Sequence, residues 1–389
     1  MTGARIAISG WFWDQPYTGS GQVVRQIVAG LRRAAPELQL VLVLPGTTAP
    51  SDIPEGVETI CAGGGRSNLD KVWFEQRRFP AAVARVRADL AHVPYWGGPL
   101  SSPVPVVVSV LDVIPLLMPE YAPGPLARLY VSLQRAAARG ASHIITISEA
   151  ARADVVRTLG VPAERVSVTL LAADERFHPR LGAERDAAVR EKYHLPERFV
   201  LYMGGFDTRK QVSQLISAYT FVARPLGDEV PLVLAGAQPA WGQPPFPDLP
   251  AEVAAAGLEH IVRWIGRVDE ADKPALYRMA EVFAFPSRYE GFGLPVLEAM
   301  ASGTPVVANA IPVIEEVAGE AAYLVRAESA REMGAAILSL LVDPALREDL
   351  STRGLGQATR FQWRRTARET AAIYRRVLDA ARPPAATSS

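Results

Sequence analysis

Residues 285–305 read Phe-Pro-Ser-Arg-Tyr-Glu-Gly-Phe-Gly-Leu-Pro-Val-Leu-Glu-Ala-Met-Ala-Ser-Gly-Thr-Pro. The apolar run Val282 to Phe285 reads as a buried strand, and a loop with Gly291 and Gly293 follows it. Pro295 suits a first helical turn, where a missing N–H costs nothing. Val296, Leu297 and Met300 fit a short helix that stops at Gly303, with Pro305 beyond. A glycine-rich loop feeding a helix aims bare backbone N–H groups and the positive end of the helix dipole at one spot, which suits a phosphate. Glu290 sits on the loop and Glu298 one turn inside the helix, with seven residues between them. Glu290 leaves a strand end, where ligands collect in parallel α/β sheets. Glu298 can reach back and accept hydrogen bonds from two neighbouring hydroxyls, such as those of a ribose. Taken singly, Glu290 also reads as a solvated loop acid and Glu298 as a complement to the helix start.

Outward from this stretch the chain alternates strands and helices. Strand Arg5–Ser9 precedes Tyr17-Thr18-Gly19-Ser20-Gly21-Gln22 and a helix with Val23, Val24, Ile27, Val28 and Leu31 on one face. The Gly19-x-Gly21 pair lacks a third glycine, since Val24 stands in its place, so a plain strand-to-helix turn is an equal reading. Val104–Val110 is a strand apolar on both faces and ends in Leu111-Asp112-Val113-Ile114-Pro115. Asp112 there reads as a brace for the next turn. His92, at the end of strand Leu90–Val93, reads as structural. Strand Phe199–Met203 runs into Gly204-Gly205-Phe206-Asp207-Thr208-Arg209-Lys210 and a helix with Leu215, Ile216, Tyr219 and Val222 inward. Two adjacent cations at a helix start oppose the dipole but suit a diphosphate, the guanidinium as a planar fork and the ammonium as a point charge.

With 389 residues the chain fits two domains. Acids and bases balance at 41 each, and no nucleic-acid motif is present. Cys61 is the single cysteine, so no internal disulfide forms and a reducing compartment is expected. The N-terminus lacks the succession of a signal peptide, and no run reaches the ~18 apolar residues of a membrane span. A soluble cytoplasmic protein is expected. The segment 71–90, with Trp73, Phe74, Arg77, Arg78, Phe79, Arg85 and Arg87, reads as a solvated helix face or as a peripheral contact with an anionic inner membrane face. No Asp-x-Asp with neighbouring ligands and no His/Cys cluster calls for a metal, and no cofactor is expected.

The stretch 290–298 resembles the signature of the retaining glycosyltransferases of family four, of the bacterial cell-envelope polysaccharide type, and 204–210 resembles their second signature. The resemblance implies the GT-B fold: two α/β Rossmann-like domains of doubly wound parallel sheet facing across a cleft. The expected division is residues 1–180 on the acceptor side, 195–363 for the nucleotide sugar, a helix 364–381 crossing back, and a disordered tail 382–389. It implies that Arg209 and Lys210 hold the donor diphosphate. Glu290 approaches the donor sugar, Glu298 the ribose, and N–H groups around Gly291, Phe292, Gly293 and Leu294 the phosphates. Val268 lies beside the base, and Gly19 and Gly21 face the donor. Some members carry an arginine where this chain has Gly205, so Arg209 and Lys210 carry the charge alone.

The family shows His-Asp where this chain has Leu111-Asp112, a candidate sugar pocket. Leucine there implies a 6-deoxyhexose donor such as activated rhamnose, otherwise mannose or glucose. The implied reaction is metal-independent transfer from a nucleotide diphospho-sugar to a hydroxyl of a glycan or lipid-linked acceptor. The rivals are a nucleotide-sugar epimerase on the same scaffold and a nucleotide-sugar-binding homologue without catalysis. Acceptor, base and oligomeric state are not legible.

Overall fold

Strands whose every residue is apolar must be covered on both faces, and parallel α/β sheets do this by laying helices on either side. The chain builds two such sheets. The computed structural model describes residues 3–46, 50 and 52–382; the expected disordered tail lies outside the described residues from 383 onward. The first sheet holds seven strands, β1 (Arg5–Ser9), β2 (Gln39–Leu44), β3 (Glu58–Cys61), β4 (Leu90–Val93), β5 (Val106–Ser109), β6 (His143–Thr146) and β7 (Val166–Val168). Their order is β3-β2-β1-β4-β5-β6-β7. The second holds β8 (Val200–Met203), β9 (Leu232–Ala235), β10 (Val262–Gly266), β11 (Val282–Phe285), β12 (Val306–Asn309) and β13 (Tyr323–Val325), in the order β10-β9-β8-β11-β12-β13. All named pairings are parallel. The α/β doubly wound fold expected from the sequence is therefore present twice.

Each sheet reverses its winding once, between β1 and β4 in the first and between β8 and β11 in the second. Ligands of open α/β sheets gather outside the carboxyl ends of the strands at such reversals. The loop Gly204–Lys210 follows β8 and the loop 286–293 follows β11, so the second reversal carries both sequence signatures.

One unit comprises residues 1–171 with 362–389, the other residues 172–361. This division falls earlier than position 180, and the charged segment 178–197 lies within the second unit. Arg278 bonds Asp186 and the carbonyls of His178, Leu181 and Gly182. Arg185 and Lys192 reach Asp272 at 3.0 and 2.6 Å, and Arg176 reaches Glu270 at 3.2 Å. These pairs hold the segment to the second unit. Helix Trp363–Ala381 belongs to the first unit, where Thr366 donates to the Leu170 carbonyl and Ala367 packs against Gly30.

Segment 71–90 differs from a solvated helix face. Helix Asn68–Trp73 runs into a π-helical turn, Phe74–Arg78, and then helix Phe79–Arg85. The extra residue per turn rotates the pattern, so Phe74, Phe79 and Glu75 are buried, while Trp73 and Arg77 remain exposed. Among the described residues no helix is long and apolar enough to cross a membrane.

Gly21 has a packing reason of its own. A Cβ there would lie 1.9 Å from the Gln15 carbonyl oxygen, while Gly19 faces open space. The Gly21 N–H also donates the capping bond to Thr18 Oγ1 at 3.0 Å. Gly21→Ala is expected to destabilise the chain by about 1–3 kcal/mol, the usual cost of overpacking. Urea unfolding that shows no loss of midpoint would contradict this.

Candidate active site

In the second unit, Asp207 extends the loop after β8, and Thr208–Lys210 forms a 3₁₀ turn. Gln211 closes it with φ +50°, a left-handed conformation unusual for a residue with a side chain. This turn sets Arg209 and Lys210 side by side at the start of helix Val212–Leu226. The backbone of Arg209 also accepts from Arg288 N–H at 3.0 Å, which ties the two loops together.

Glu290 meets both cations. Its Oε1 lies 2.6 Å from Lys210 Nζ and 2.9 Å from Arg209 NH1, and Arg209 NH1 also donates to the Tyr289 carbonyl at 2.8 Å. Arg209 Nε lies 3.6 Å from Asp207 Oδ1. All three side chains of the cluster are little exposed, between 11 and 14%. Burial alone would raise the Glu290 carboxyl, but the charges of Lys210 and Arg209 outweigh it and hold it below the usual range. The site therefore contains a fixed carboxylate with two cations on one oxygen. Asn309, at the end of β12, donates to the Ser287 carbonyl at 3.2 Å and accepts from Ala327 N–H at 2.9 Å, so it fixes the start of the Glu290 loop.

Gly293 caps helix Leu294–Ala301 with φ +96°, and Pro295 falls in the first turn. Only glycine adopts that φ without strain, and a Cβ there would lie 2.5 Å from Ile314 Cδ1. Among the described residues the N–H groups of Phe292, Gly293 and Leu294 meet no backbone acceptor, as a helix start requires. The Phe292 ring is buried edge-on against Phe361. Gly205 is exposed, and its carbonyl accepts from Tyr202 Oη.

Glu298 sits deeper. It is 6% exposed, and Tyr277 Oη donates to its Oε2 at 3.0 Å. Burial pushes its carboxyl up to about 7; Lys273, Arg176 and the Tyr277 bond pull the other way, and Glu270 adds to the rise. Glu270 itself bridges Lys273 at 2.5 Å and Arg176 at 3.2 Å. Val268 is buried. Tyr277 carried no signal in the sequence, and the one signal for Asn309 is that it ends the otherwise apolar strand β12.

The remaining candidates lie in the first unit. Leu111 is half-buried after β5, and Asp112 Oδ1 accepts the Ile114 N–H at 3.1 Å, an Asx turn before helix Ile114–Leu117. His92 is fully buried between Ser109 Oγ at 2.9 Å and Tyr374 Oη at 2.6 Å. Burial drops its imidazole to about 3, so it is neutral and structural.

The sequence profile of glycosyl transferases group 1 matches residues 186–356, and that of a glycosyl transferase 4-like domain matches residues 18–171. O-antigen chain mannosyltransferase B of Escherichia coli is 33% identical over 271 residues, 69% of this chain and 70% of that protein. The serotype-specific mannosyltransferase WbdA of Escherichia coli is 30% identical over 66% of this chain, which spans only 31% of its length. Among solved structures, Anabaena HepE in complex with UDP and glucose superposes with a TM-score of 0.74 at 19% identity, covering 96% of this chain and all of that one. Two doubly wound parallel sheets, both signature loops at one winding reversal and these likenesses agree: the chain belongs to the family-four glycosyltransferases and has the GT-B fold.

Proposed function

We propose that this glycosyltransferase moves a sugar from a nucleotide diphospho-sugar to a hydroxyl of a glycan or lipid-linked acceptor in polysaccharide synthesis, with retention and without a metal ion. The observation that carries this reading is the pair Arg209–Lys210 on one oxygen of Glu290, beside a helix start with open N–H groups. Loss of a nucleoside diphosphate builds negative charge on the leaving oxygen. Cations already held in place meet that charge without reorganisation. In this reading Arg209 and Lys210 bind the diphosphate, together with the N–H groups of Phe292 to Leu294. Glu290 orients them and reaches the donor sugar, and Glu298 takes the ribose hydroxyls. The mannosyltransferase relatives and the UDP and glucose held by HepE support this chemistry.

Thermal stabilisation by a panel of nucleotide sugars tests the reading, because a ligand of the folded state raises apparent stability by mass action. The expected result is a rise with at least one nucleotide sugar, and with it an acceptor-dependent product whose anomeric configuration matches the donor. No shift with any donor, or isomerised sugar formed without acceptor, would replace it with another function.

Leu111 carries a proposal about the sugar. In the place that the family resemblance gives it, its isobutyl group offers no partner to a C6 hydroxyl. An unpaired hydroxyl costs about 1–3 kcal/mol, and a methyl in its place gains about 0.8 kcal/mol. A 6-deoxyhexose donor is therefore expected to exceed its parent hexose in kcat/KM by roughly tenfold to several hundredfold. The check is a matched pair of donors on one nucleotide; a hexose preference that Leu111→His leaves unaltered would refute it, and would favour mannose, as the relatives' names suggest.

A further inference from the structure

The winding reversal of the first unit, between β1 and β4, carries its own cluster. Phe12 follows β1, and Tyr95 follows β4. Between them stands the ammonium of Lys71, 4.9 Å from the Phe12 ring centre, 5.4 Å from that of Tyr95 and 5.3 Å from that of Tyr130. Behind it lies Glu75, 3.8 Å away and 2% exposed, on the π-helical turn. Tyr130 Oη donates to the Glu75 carboxylate, with both oxygens at 3.2 Å.

A buried ion pair seldom adds stability over well-packed apolar residues, and π turns gather at functional sites. What the pair leaves open is on the Lys71 side. Its side chain is 19% exposed. Among the described residues, no acceptor lies within hydrogen-bond reach of its three N–H groups, since the nearest carboxylate stands at 3.8 Å. A ligand oxygen would complete them. Burial raises the Glu75 carboxyl to about 8 and lowers the Lys71 ammonium, and the charge of each group opposes the shift of the other. A phosphate on Lys71 would stand near the Glu75 carboxyl group, which already partners that ammonium at 3.8 Å. A neutral polyol brings no charge against that carboxyl, and the part-exposed aromatic side chains of Phe12 and Tyr130 suit the C–H face of a pyranose.

We propose that Lys71, seated among Phe12, Tyr95 and Tyr130 and backed by Glu75, binds a neutral sugar ring of the acceptor. This seat rests on the transferase reading above, and the hydroxyl-rich acceptor it implies is a glycan end rather than a bare phosphorylated lipid.

The test uses the full chain and saturation-transfer NMR with methyl α-glycosides of mannose, glucose, galactose and rhamnose, alongside inorganic phosphate. At least one glycoside is expected to bind, and Lys71→Met and Phe12→Ala to weaken it, the former by about ten- to hundredfold, the loss of a charged hydrogen bond. The nucleotide-sugar thermal shift should stay as in the wild type. Should Lys71→Met fail to fold because it strands Glu75, Lys71→Met/Glu75→Gln removes the stranded acid and is expected to lose the glycoside as well. Binding of no glycoside, equal binding by the variants, or binding of phosphate instead would overturn the seat. A wild type that binds nucleotide sugar and no glycoside sinks the seat alone, whereas one that binds no nucleotide sugar sinks the transferase reading.

Discussion

Lys210→Ala and Arg209→Ala are each expected to lower kcat by about 10²–10³, the usual cost of one strong contact to charge that develops in the transition state. Their geometry makes the variants informative. In Lys210→Ala, Arg209 NH1 still holds Glu290 at 2.9 Å and the Tyr289 carbonyl at 2.8 Å, so the two loops keep their tie. In Arg209→Ala, Lys210 still holds the same oxygen at 2.6 Å. The carboxylate is never left buried and alone, so the variants should fold. The loss should fall on kcat more than on KM, because the cations meet a charge that grows as the sugar departs. Steady-state rates with the donor found by thermal shift decide the matter. Rates within about threefold of wild type for both variants would end the diphosphate assignment.

Glu298→Gln should make the protein more stable at pH 8 while weakening its hold on the donor. The Glu298 carboxyl ordinarily titrates at 4.5, and burial lifts it to about 7 in the folded chain. Between these values the folded state keeps a proton that the unfolded state has released, so stability falls as pH rises through the window. Below it, both states are protonated and nothing is lost; above it, the full cost of a buried charge remains. At about 1.4 kcal/mol per pH unit that cost is about 3 kcal/mol. Glutamine avoids it and still accepts from Tyr277 through its carbonyl oxygen. The expected rise in Tm at pH 8 is about 6–12 °C for a unit of this size, shrinking toward pH 5. Equal Tm differences at the two pH values would contradict the buried charge. Because a glutamine offers one acceptor where a carboxylate offers two, donor Kd should also rise, by about tenfold. Unchanged donor binding in calorimetry would remove Glu298 from the ribose.

Much of this was written in local pattern. The glycine loop, Pro295 in the first turn and the two glutamates come from one stretch of 21 residues, where periodicity and turn chemistry act over short range. What escaped was set by contacts distant in sequence. Tyr277 reaches Glu298 across 21 positions and Asn309 reaches Ser287 across 22, and neither spacing has a local signature. Arg185 and Lys192 are paired to Asp272 about 80 positions on, and that pairing has no local signature either. The error at 71–90 has a different origin. A helical reading assumes 3.6 residues per turn, and the π turn at Phe74–Arg78 breaks that period. Phe74 and Glu75 thereby rotate into the core, and a presumed surface becomes the wall of a buried cluster.

The first unit is made from both ends of the chain, with residues 172–361 inserted between its parts. A ribosome therefore finishes the inserted unit before it delivers the helix Trp363–Ala381. Until then the helix Gly19–Ala34 lacks the partner that packs on Gly30, and His92 lacks the hydroxyl of Tyr374. At about 5–20 residues per second this nascent interval lasts roughly 20–70 s. During that time the first unit waits without its last helix while residues 172–361 are made, and it is open to cover by chaperones.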